Sequence, residues 1–370
     1  MRISIQNSSN THKAAGQYLR NFQTSESMIC NIKTKTKICT IDNKLHLPLT
    51  INKEEYANSY VCSIYTALIP YCTQELHKLN NPLLRTVINR LITFFDSILK
   101  KNQINKLIQI NNWMLSTNLH YEELQNLNYK KFFFFLSQSF PEHSFMVRSL
   151  NSHQNSHLIN SLKINDCLMI PTRQVYIFDK KLKDYSLSHN YKIDKKLLKT
   201  TGYNYVAQHE IKRSDYSRII ELYNMLYIKK YSEHNPQFTS QYIEMIINHP
   251  YFYIEGFRNH HGILDAVGGR FTIEKTTTLP IVGYDTNKPK KLGLYRLVLI
   301  STILYAEKNG LIFNASSGAS SFKKLRGAVP FIEYAAVYSD HLPKKRKRIW
   351  SYLKFILDKV FIPIMRKYQL

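Results

Sequence analysis

The segment after Pro250 constrains the chain more than any other. Three runs, Tyr251 to Phe257, Ile263 to Ile273 and Thr276 to Tyr284, are separated by short polar turns at Arg258–Gly262 and Glu274-Lys275. A sheet-like alternation bounded by turn residues specifies strands joined as hairpins, so this stretch reads as an antiparallel three-strand meander. The apolar run Leu294 to Lys308, stopped by Asn309-Gly310, reads as a helix, and Leu311 to Ala315 is too short to be anything but a buried strand.

The flanks extend this order. A strand at Tyr203 to Glu210 comes first. A helix opened by Ser214 then runs through Lys229 with a stripe of Ile219, Ile220, Leu222, Tyr223, Leu226 and Tyr227, and a second helix covers Thr239 to Asn248. Downstream stand a short basic helix, Ala319 to Arg326, and strands at Phe331 to Tyr338.

The first half reads as a hairpin at Lys37 to Asn52, then helices at Val61 to Lys78 and Pro82 to Lys100. The latter has Asn81 as N-cap and Pro82 at its first position. A buried strand at Lys106 to Leu115, a helix at Glu123 to Phe140, a strand at Ser144 to Leu150, a helix at His157 to Ile164 and a strand pair around Leu168 to Phe178 follow. The polar, Lys-rich stretch Asp179 to Thr201 marks the expected boundary, placed near Lys195. The expected domains are therefore 1–195, 196–342 and a basic tail, 343–370.

Lys and Arg number 51 against 26 Asp and Glu, a formal charge of +25. Such a chain favours polyanions, whether nucleic acid, anionic lipid or phosphate-rich cofactors, although an A/T-rich coding sequence would inflate Lys equally well. The five cysteines form no CxxC pair and no Cys/His ligand spacing, so a reducing compartment and no metal are expected. His260-His261 lie in a polar turn and read as solvated. Met1 to Leu19 has no apolar run of the kind a secretion signal needs, and no window has the ~18–20 apolar residues of a membrane span. The expected location is cytoplasmic, with a peripheral position on the inner face of the membrane as the alternative.

The order strand, two helices, three-strand meander, helix, strand, short helix, paired strands resembles the GNAT acyltransferase superfamily. The segment Tyr284 to Pro330 carries the likeness most strongly. Its FKKLRG run, Phe322 to Gly327, is similar to the aromatic-Lys-x-x-x-Gly motif of the branch that includes Fem-type peptidoglycan aminoacyltransferases. The resemblance implies an α/β (α+β) fold of tandem GNAT-like domains. Each would be a mixed, mostly antiparallel sheet flanked by helices, with a basic amphipathic helix at the C-terminus.

The resemblance further implies that the meander's last strand splays from the next one, so that Ile281, Val282, Gly283 and Tyr284 offer backbone groups to a pantetheine arm. Gly283 suits a strand bulge there. Lys290, Lys291, Leu292, Gly293, Leu294 and Tyr295 would form the pyrophosphate loop at a helix N-terminus. The superfamily writes this loop [Gln/Arg]-x-x-Gly-x-[Gly/Ala], whereas the chain offers Lys290-x-x-Gly293-x-Tyr295, and Tyr295 leaves less room for a diphosphate. Acyl-CoA is the expected donor, with an acyl-carrier protein or an aminoacyl-tRNA as alternatives. Lys323 matches the motif's Lys and is a candidate phosphate ligand.

Acyl transfer to an amine needs positioning, a route for a proton and stabilisation of an oxyanion. Asp285, ending the fourth strand, is the first candidate for proton acceptor or amine-orienting group. Tyr284 and Glu333 compete for that role, and the hydroxyl of Ser317 could protonate a leaving thiolate or orient substrate, although each residue type also caps turns or fills cores. The first half has no glycine between Gly16 and Gly202, hence no phosphate loop of its own. Asn112, Trp113 and Asn118, dense in hydrogen-bonding groups at a strand end, and Arg173 on a later strand are candidates to bind the acceptor, with structural hydrogen bonding as the competing reading.

In the tail, Lys344 to Arg348 precede Ile349, Trp350, Leu353, Ile356, Leu357, Val360, Phe361 and Ile364 at helical spacing. This helix can pack on its own domain or lie on an anionic membrane. The expected function is an N-acyltransferase moving an acyl group from acyl-CoA to the amine of a small molecule, peptide or lipid-linked precursor. A Fem-type transferase using aminoacyl-tRNA and a non-catalytic, membrane-associated GNAT-like binding protein are the alternatives. DNA is not an expected partner.

Overall fold

A computed structural model describes residues 1–7, 14–22, 25–79 and 81–368. Residues 8–13, inside the N-terminal stretch read as lacking an apolar run, and residues 369–370 of the tail lie outside the described residues. The described residues form the strands β1 (Ile3–Gln6), β2 (Lys35–Ile41), β3 (Leu45–Asn52), β4 (Leu107–Ile110), β5 (Ser144–Asn151), β6 (Leu168–Phe178), β7 (Asn204–Val206), β8 (Phe252–Arg258), β9 (Leu264–Ile273), β10 (Thr276–Tyr284), β11 (Ile312–Asn314) and β12 (Val329–Tyr338).

The chain divides into two compact units. Unit 1 comprises residues 1–173, 234–236 and 332–368, and unit 2 comprises 174–233 and 237–331. The boundary expected near Lys195 falls inside a helix, His189–Thr200, capped by the Ser188 side chain. The Lys-rich stretch is thus largely ordered structure, because Tyr191 and Asp194 on that helix are buried.

In unit 1 the strand order is β1-β2-β3-β4-β5-β12-β6. The β2–β3 hairpin turns through Asp42 and Asn43, both at positive φ (49° and 55°), the backbone that a tight hairpin requires and that Asn and Asp tolerate. β4 runs parallel to β5, with Leu107 to Ile110 opposite Ser144 to Val147. β12, from the far end of the chain, pairs antiparallel with β5, Val337 opposite Met146 and Glu333 opposite Asn151. The core gathers Leu47, Leu49, Ile108, Phe132, Phe145 and Leu162 among others.

Several expected helices are shorter than the apolar patterns suggest. Pro70 divides the Val61–Lys78 reading into Ile64–Leu68 and Pro70–Glu75, since proline cannot donate the bond that would continue the first helix. Asn128 caps the helix Tyr129–Ser139 and leaves Glu122–Asn126 as a separate 3₁₀ turn. The expected strand to Leu115 stops at Ile110, because Asn111 adopts φ 56°. The expected pairs near residues 168–178 and 331–338 are single strands of ten or eleven residues.

The tail packs on unit 1. Its helix Lys344–Ile356 buries Ile349, Trp350 and Leu353, and the Trp350 indole N–H donates to Ser144 Oγ at 3.1 Å. No helix among the described residues is long and apolar enough to cross a membrane.

Unit 2 has the order β6-β11-β10-β9-β8-β7. β7, β8, β9 and β10 are antiparallel neighbours, as the meander predicts, and β10 then runs parallel to β11. The helix Leu294–Lys308 buries Leu297, Val298, Ile300 and Ile303 in a core with Phe178, Phe257, Phe313 and Leu279. Each unit therefore has a mixed, mostly antiparallel sheet flanked by helices, with one parallel pair of strands near its middle.

Candidate functional site

The parallel pair of unit 2 opens into a fork. β10 and β11 pair over Thr276 to Thr278 against Ile312 to Asn314, yet β10 continues six residues further, to Tyr284, with β9 as its paired strand there. The register of β10 on β9 shifts between Thr278 and Ile281, so the bulge lies at Leu279-Pro280 and not at Gly283 as expected. Proline fits a bulge because it has no N–H to give to the ladder.

Gly283 has a different reason. A Cβ there would stand 2.5 Å from the Tyr223 amide nitrogen and 2.6 Å from the Leu222 carbonyl carbon. The helix Tyr216–Tyr227 thus presses directly on the free end of β10, which only glycine permits. Ile281 and Val282 bury their side chains, so what they can offer a ligand is backbone.

At the mouth of the fork, Lys290–Leu292 form a 3₁₀ turn that ends in Gly293 at φ 68°, and the fifteen-residue helix Leu294–Lys308 begins there. A Cβ on Gly293 would meet Leu197 Cδ2 at 2.7 Å. Lys290 and Lys291 are exposed beside the first turn of this helix, whose unpaired N–H groups and dipole favour an anion. The Tyr295 ring turns toward Phe322, 4.9 Å away between centroids, with Tyr284 at 6.1 Å.

The opposite wall of the fork is the turn after β11. Ser316, Gly318 and Ala319 all adopt positive φ (57°, 77° and 47°), which glycine tolerates but which strains the backbone at Ser316 and Ala319, and the sequence reading did not foresee it. The FKKLRG run explains how it is held. Lys323, expected to meet a cofactor phosphate, is buried, and its ammonium donates to the carbonyls of Ala315 (2.5 Å), Ser316 (3.3 Å) and Ser317 (2.8 Å). Arg326 lies 3.3 Å from the Phe322 ring centroid and pairs with buried Asp194, which Arg296 also engages. Gly327, at φ 95°, allows Tyr185 to approach where a Cβ would be 2.5 Å away. In this chain the motif clamps the turn that carries Ser317.

Two polar groups stand at the free end of β10. Burial pushes the Tyr284 phenol above its ordinary value, against the opposing pull of Lys290, so it stays protonated at neutral pH. Burial alone would also raise Asp285, but the hydrogen bond from Arg218 Nη2 (2.9 Å) and the Asn287 amide hold its carboxyl below the usual carboxylate range. Asp285 is therefore a fixed negative charge and a weak proton acceptor.

Asn112, Trp113 and Asn118 form one buried network in unit 1. Asn112 donates to Thr50 Oγ1 (2.9 Å) and to the Val61 carbonyl (3.0 Å), and its oxygen accepts from Asn118 Nδ2 (3.2 Å) and the Met114 amide (3.1 Å). The Trp113 indole donates to Asn111 Oδ1 at 3.0 Å, and the ring is fully buried. These groups hold the backbone together, which is the structural reading of the run. Arg173 and Glu333 meet in the same unit: Arg173 Nε donates to Glu333 Oε1 at 2.8 Å, and Nη2 to the Ser116 carbonyl at 2.6 Å and Thr117 Oγ1 at 3.0 Å. Burial works against the Arg173 charge, but Glu333 holds its pKa well above the ordinary arginine value.

Sequence reasoning missed Arg148, which sits on β5 in an otherwise apolar run and reaches the Ser116 carbonyl at 3.5 Å. A lone arginine amid Phe145, Met146 and Val147 was the available signal. Among the described residues, no group of three or more His, Cys, Asp or Glu could hold a metal ion.

No protein-family model matches the chain, and no curated protein does. Solved structures do. The structure of L-PGS from Bacillus licheniformis is 15% identical with a TM-score of 0.45, covering 63% of this chain and 79% of that one. FemX is 8% identical with a TM-score of 0.46, covering 64% and 81%. A tandem GNAT protein from the clavulanic acid biosynthesis pathway is 7% identical with a TM-score of 0.40, covering 93% and 100%. Within the chain itself, each unit has a mixed, mostly antiparallel sheet that includes a parallel pair of strands.

Proposed function

We propose that the chain is an N-acyltransferase whose donor is an acyl thioester on a pantetheine carrier, such as acyl-CoA, seated in the fork of unit 2. The observation that carries this reading is the early end of the β10–β11 pairing at Thr278 and Asn314. An extended arm with two amides finds a strand edge along Ile281 to Tyr284, and its phosphates find the helix start at Gly293 with Lys290 and Lys291.

The chemistry follows from the groups at the end of β10. The amine nitrogen attacks the thioester carbonyl, the C–N bond forms and the C–S bond breaks. The leaving sulfur takes the Tyr284 phenolic proton, and the proton released by the amine restores that phenol. Asp285, kept ionised by Arg218, attracts and orients the incoming amine. The acceptor is an amine on a small molecule, peptide or lipid-linked precursor.

Titration of the folded protein with CoA and acyl-CoA tests the donor, read by thermal shift and calorimetry. A rise in Tm with CoA that Lys291→Glu removes supports the fork. No rise with either ligand, together with tight tRNA binding at physiological salt, would overturn it in favour of an aminoacyl-tRNA donor. The exposed Lys290-Lys291 pair and the +25 charge are the features that favour that second reading.

A further inference from the structure

Arg148 has an open donor edge in unit 1. Its Nη1 donates to the Val61 carbonyl and to Gln109 Oε1 (3.3 Å), while Nη2 meets only the carbonyls of Leu115 and Ser116, both at 3.5 Å. All four partners are neutral oxygens, and no protein acceptor faces Nε among the described residues. A guanidinium carries five N–H donors in one plane, so the Nε–Nη2 edge, the geometry that matches a carboxylate, is left unsaturated. The residue is half-buried.

The charges around it do not cancel at Arg148. Arg173 reaches the same Ser116 carbonyl, but it is neutralised by Glu333 in a two-point ion pair. Tyr60 and Tyr71, with ring centroids 4.9 Å apart, stand within the field of these groups, and burial keeps both phenols protonated as donors. Burial first, and then the Glu75 carboxylate, help the Tyr71 phenol retain its proton, and Glu75 acts on Tyr60 in the same sense. Among the described residues Arg148 makes no ion pair of its own beside a closed pair and two phenols, so its donor edge can take one further negative charge. A charged group buried without a counterion costs several kcal/mol unless something supplies one.

We propose that unit 1 carries a second ligand site in which Arg148, assisted by the Tyr60 hydroxyl, binds the carboxylate of a small molecule. The site stands independently of the thioester reading, because none of its residues belongs to the fork. A single monovalent charge and a planar two-donor edge favour carboxylate over phosphate, whose higher charge would call for a second free cation.

Calorimetry on the full chain with acetate, glutarate and N-acetylglycine, their neutral amides, and inorganic phosphate tests the proposal. Carboxylates should bind and the amides should not. Arg148→Gln should weaken the carboxylates about tenfold or more, and Tyr60→Phe about threefold, the losses expected for one charge-assisted and one neutral hydrogen bond. Absence of carboxylate binding, equal binding of the amides, tighter binding of phosphate, or unchanged affinity in folded Arg148→Gln would each overturn it. Should Arg148→Gln fail to fold, unchanged affinity in Tyr60→Phe overturns it instead.

Discussion

The two units place the same parallel strand pair in opposite states. In unit 2, β10 outruns β11 and the space beyond Thr278 and Asn314 is lined by backbone, with Gly283 and Gly293 allowing close approach at its end and mouth. In unit 1, the chain beyond Ile110 folds back at once: the Asn112 amide bonds to the Pro48 carbonyl, Asn118 to Ser149 Oγ, and His120 Nε2 to the Arg148 carbonyl. The segment 111–120, which carries Trp113 and three asparagines, thus bonds to β3 on one side and to β5 on the other, a plug beyond the end of the pair. One sheet plan thus yields a groove where glycines lie and a plug where polar side chains can satisfy one another.

Removing the plug should have the largest effect. Trp113 is fully buried, so Trp113→Ala is expected to cost about 3–5 kcal/mol of stability, measured by urea denaturation. The contrast between the units predicts more than destabilisation: the variant should gain no affinity for CoA, since unit 1 has no glycine turn at a helix start. A gain in CoA binding would show that the plug alone separates the two.

Next comes the clamp on the opposite wall of the fork. Lys323→Met leaves three carbonyls without their shared donor and is expected to cost about 2–4 kcal/mol. CoA affinity should fall with it, because the strained turn at 316–319 loses its anchor. Lys323→Arg should not restore the turn, since a planar guanidinium cannot replace a compact ammonium among three convergent oxygens. Full rescue by arginine would mean that charge alone, and not this geometry, is required.

Much of this comparison was legible in the sequence. The hairpin at 35–52, the meander, the helix ending at Lys308 and the short strand after it all follow from periodicity and turn chemistry, because each is fixed by contacts near in sequence. The interleaving of the units was not legible: β12 pairs with β5 across about half the length of the chain, and nothing local in Val329–Tyr338 names its partner. Glu333 illustrates the consequence for the site. In sequence it neighbours the FKKLRG run, yet it is paired with Arg173 in unit 1. Lys323 was legible as a motif residue, but whether its ammonium meets a ligand or a carbonyl depends on the turn it folds against.

Acid should separate the units more gently. In unit 1, burial pushes His120 and His143 down to about 4, so both are neutral when folded and regain an ordinary pKa near 6.5 when unfolded. The unfolded chain therefore binds more protons, and the stability these groups confer is complete above about 6.5 and declines as pH falls toward 4, by at most about 3 kcal/mol each. In unit 2, Asp285 and Glu307 are held low by Arg218 and Lys180 against the effect of burial, so their contribution persists above the ordinary carboxylate range and is lost only as pH falls through it. Hydrogen exchange between pH 7 and 4 should show unit 1 amides losing protection first. Simultaneous loss in both units would mean that the buried histidines do not set the order.

The smallest expected effect on stability is also the most selective for function. Lys291 is exposed and forms no ion pair among the described residues, so Lys291→Glu should change stability by no more than about 0.5 kcal/mol. The same substitution places a negative charge beside the helix start that the proposed diphosphate would approach, and should weaken CoA about tenfold at low ionic strength, with the deficit shrinking as salt screens it. Lys101, exposed at the end of the helix Pro82–Lys101 in unit 1, serves as the matched control: Lys101→Glu changes net charge identically but lies in the other unit. If the two variants lose CoA affinity equally, the basic charge acts as a diffuse field. If only Lys291→Glu does, the anion is read at Gly293, and the difference between an open fork and a plugged one is a difference in binding as well as in shape.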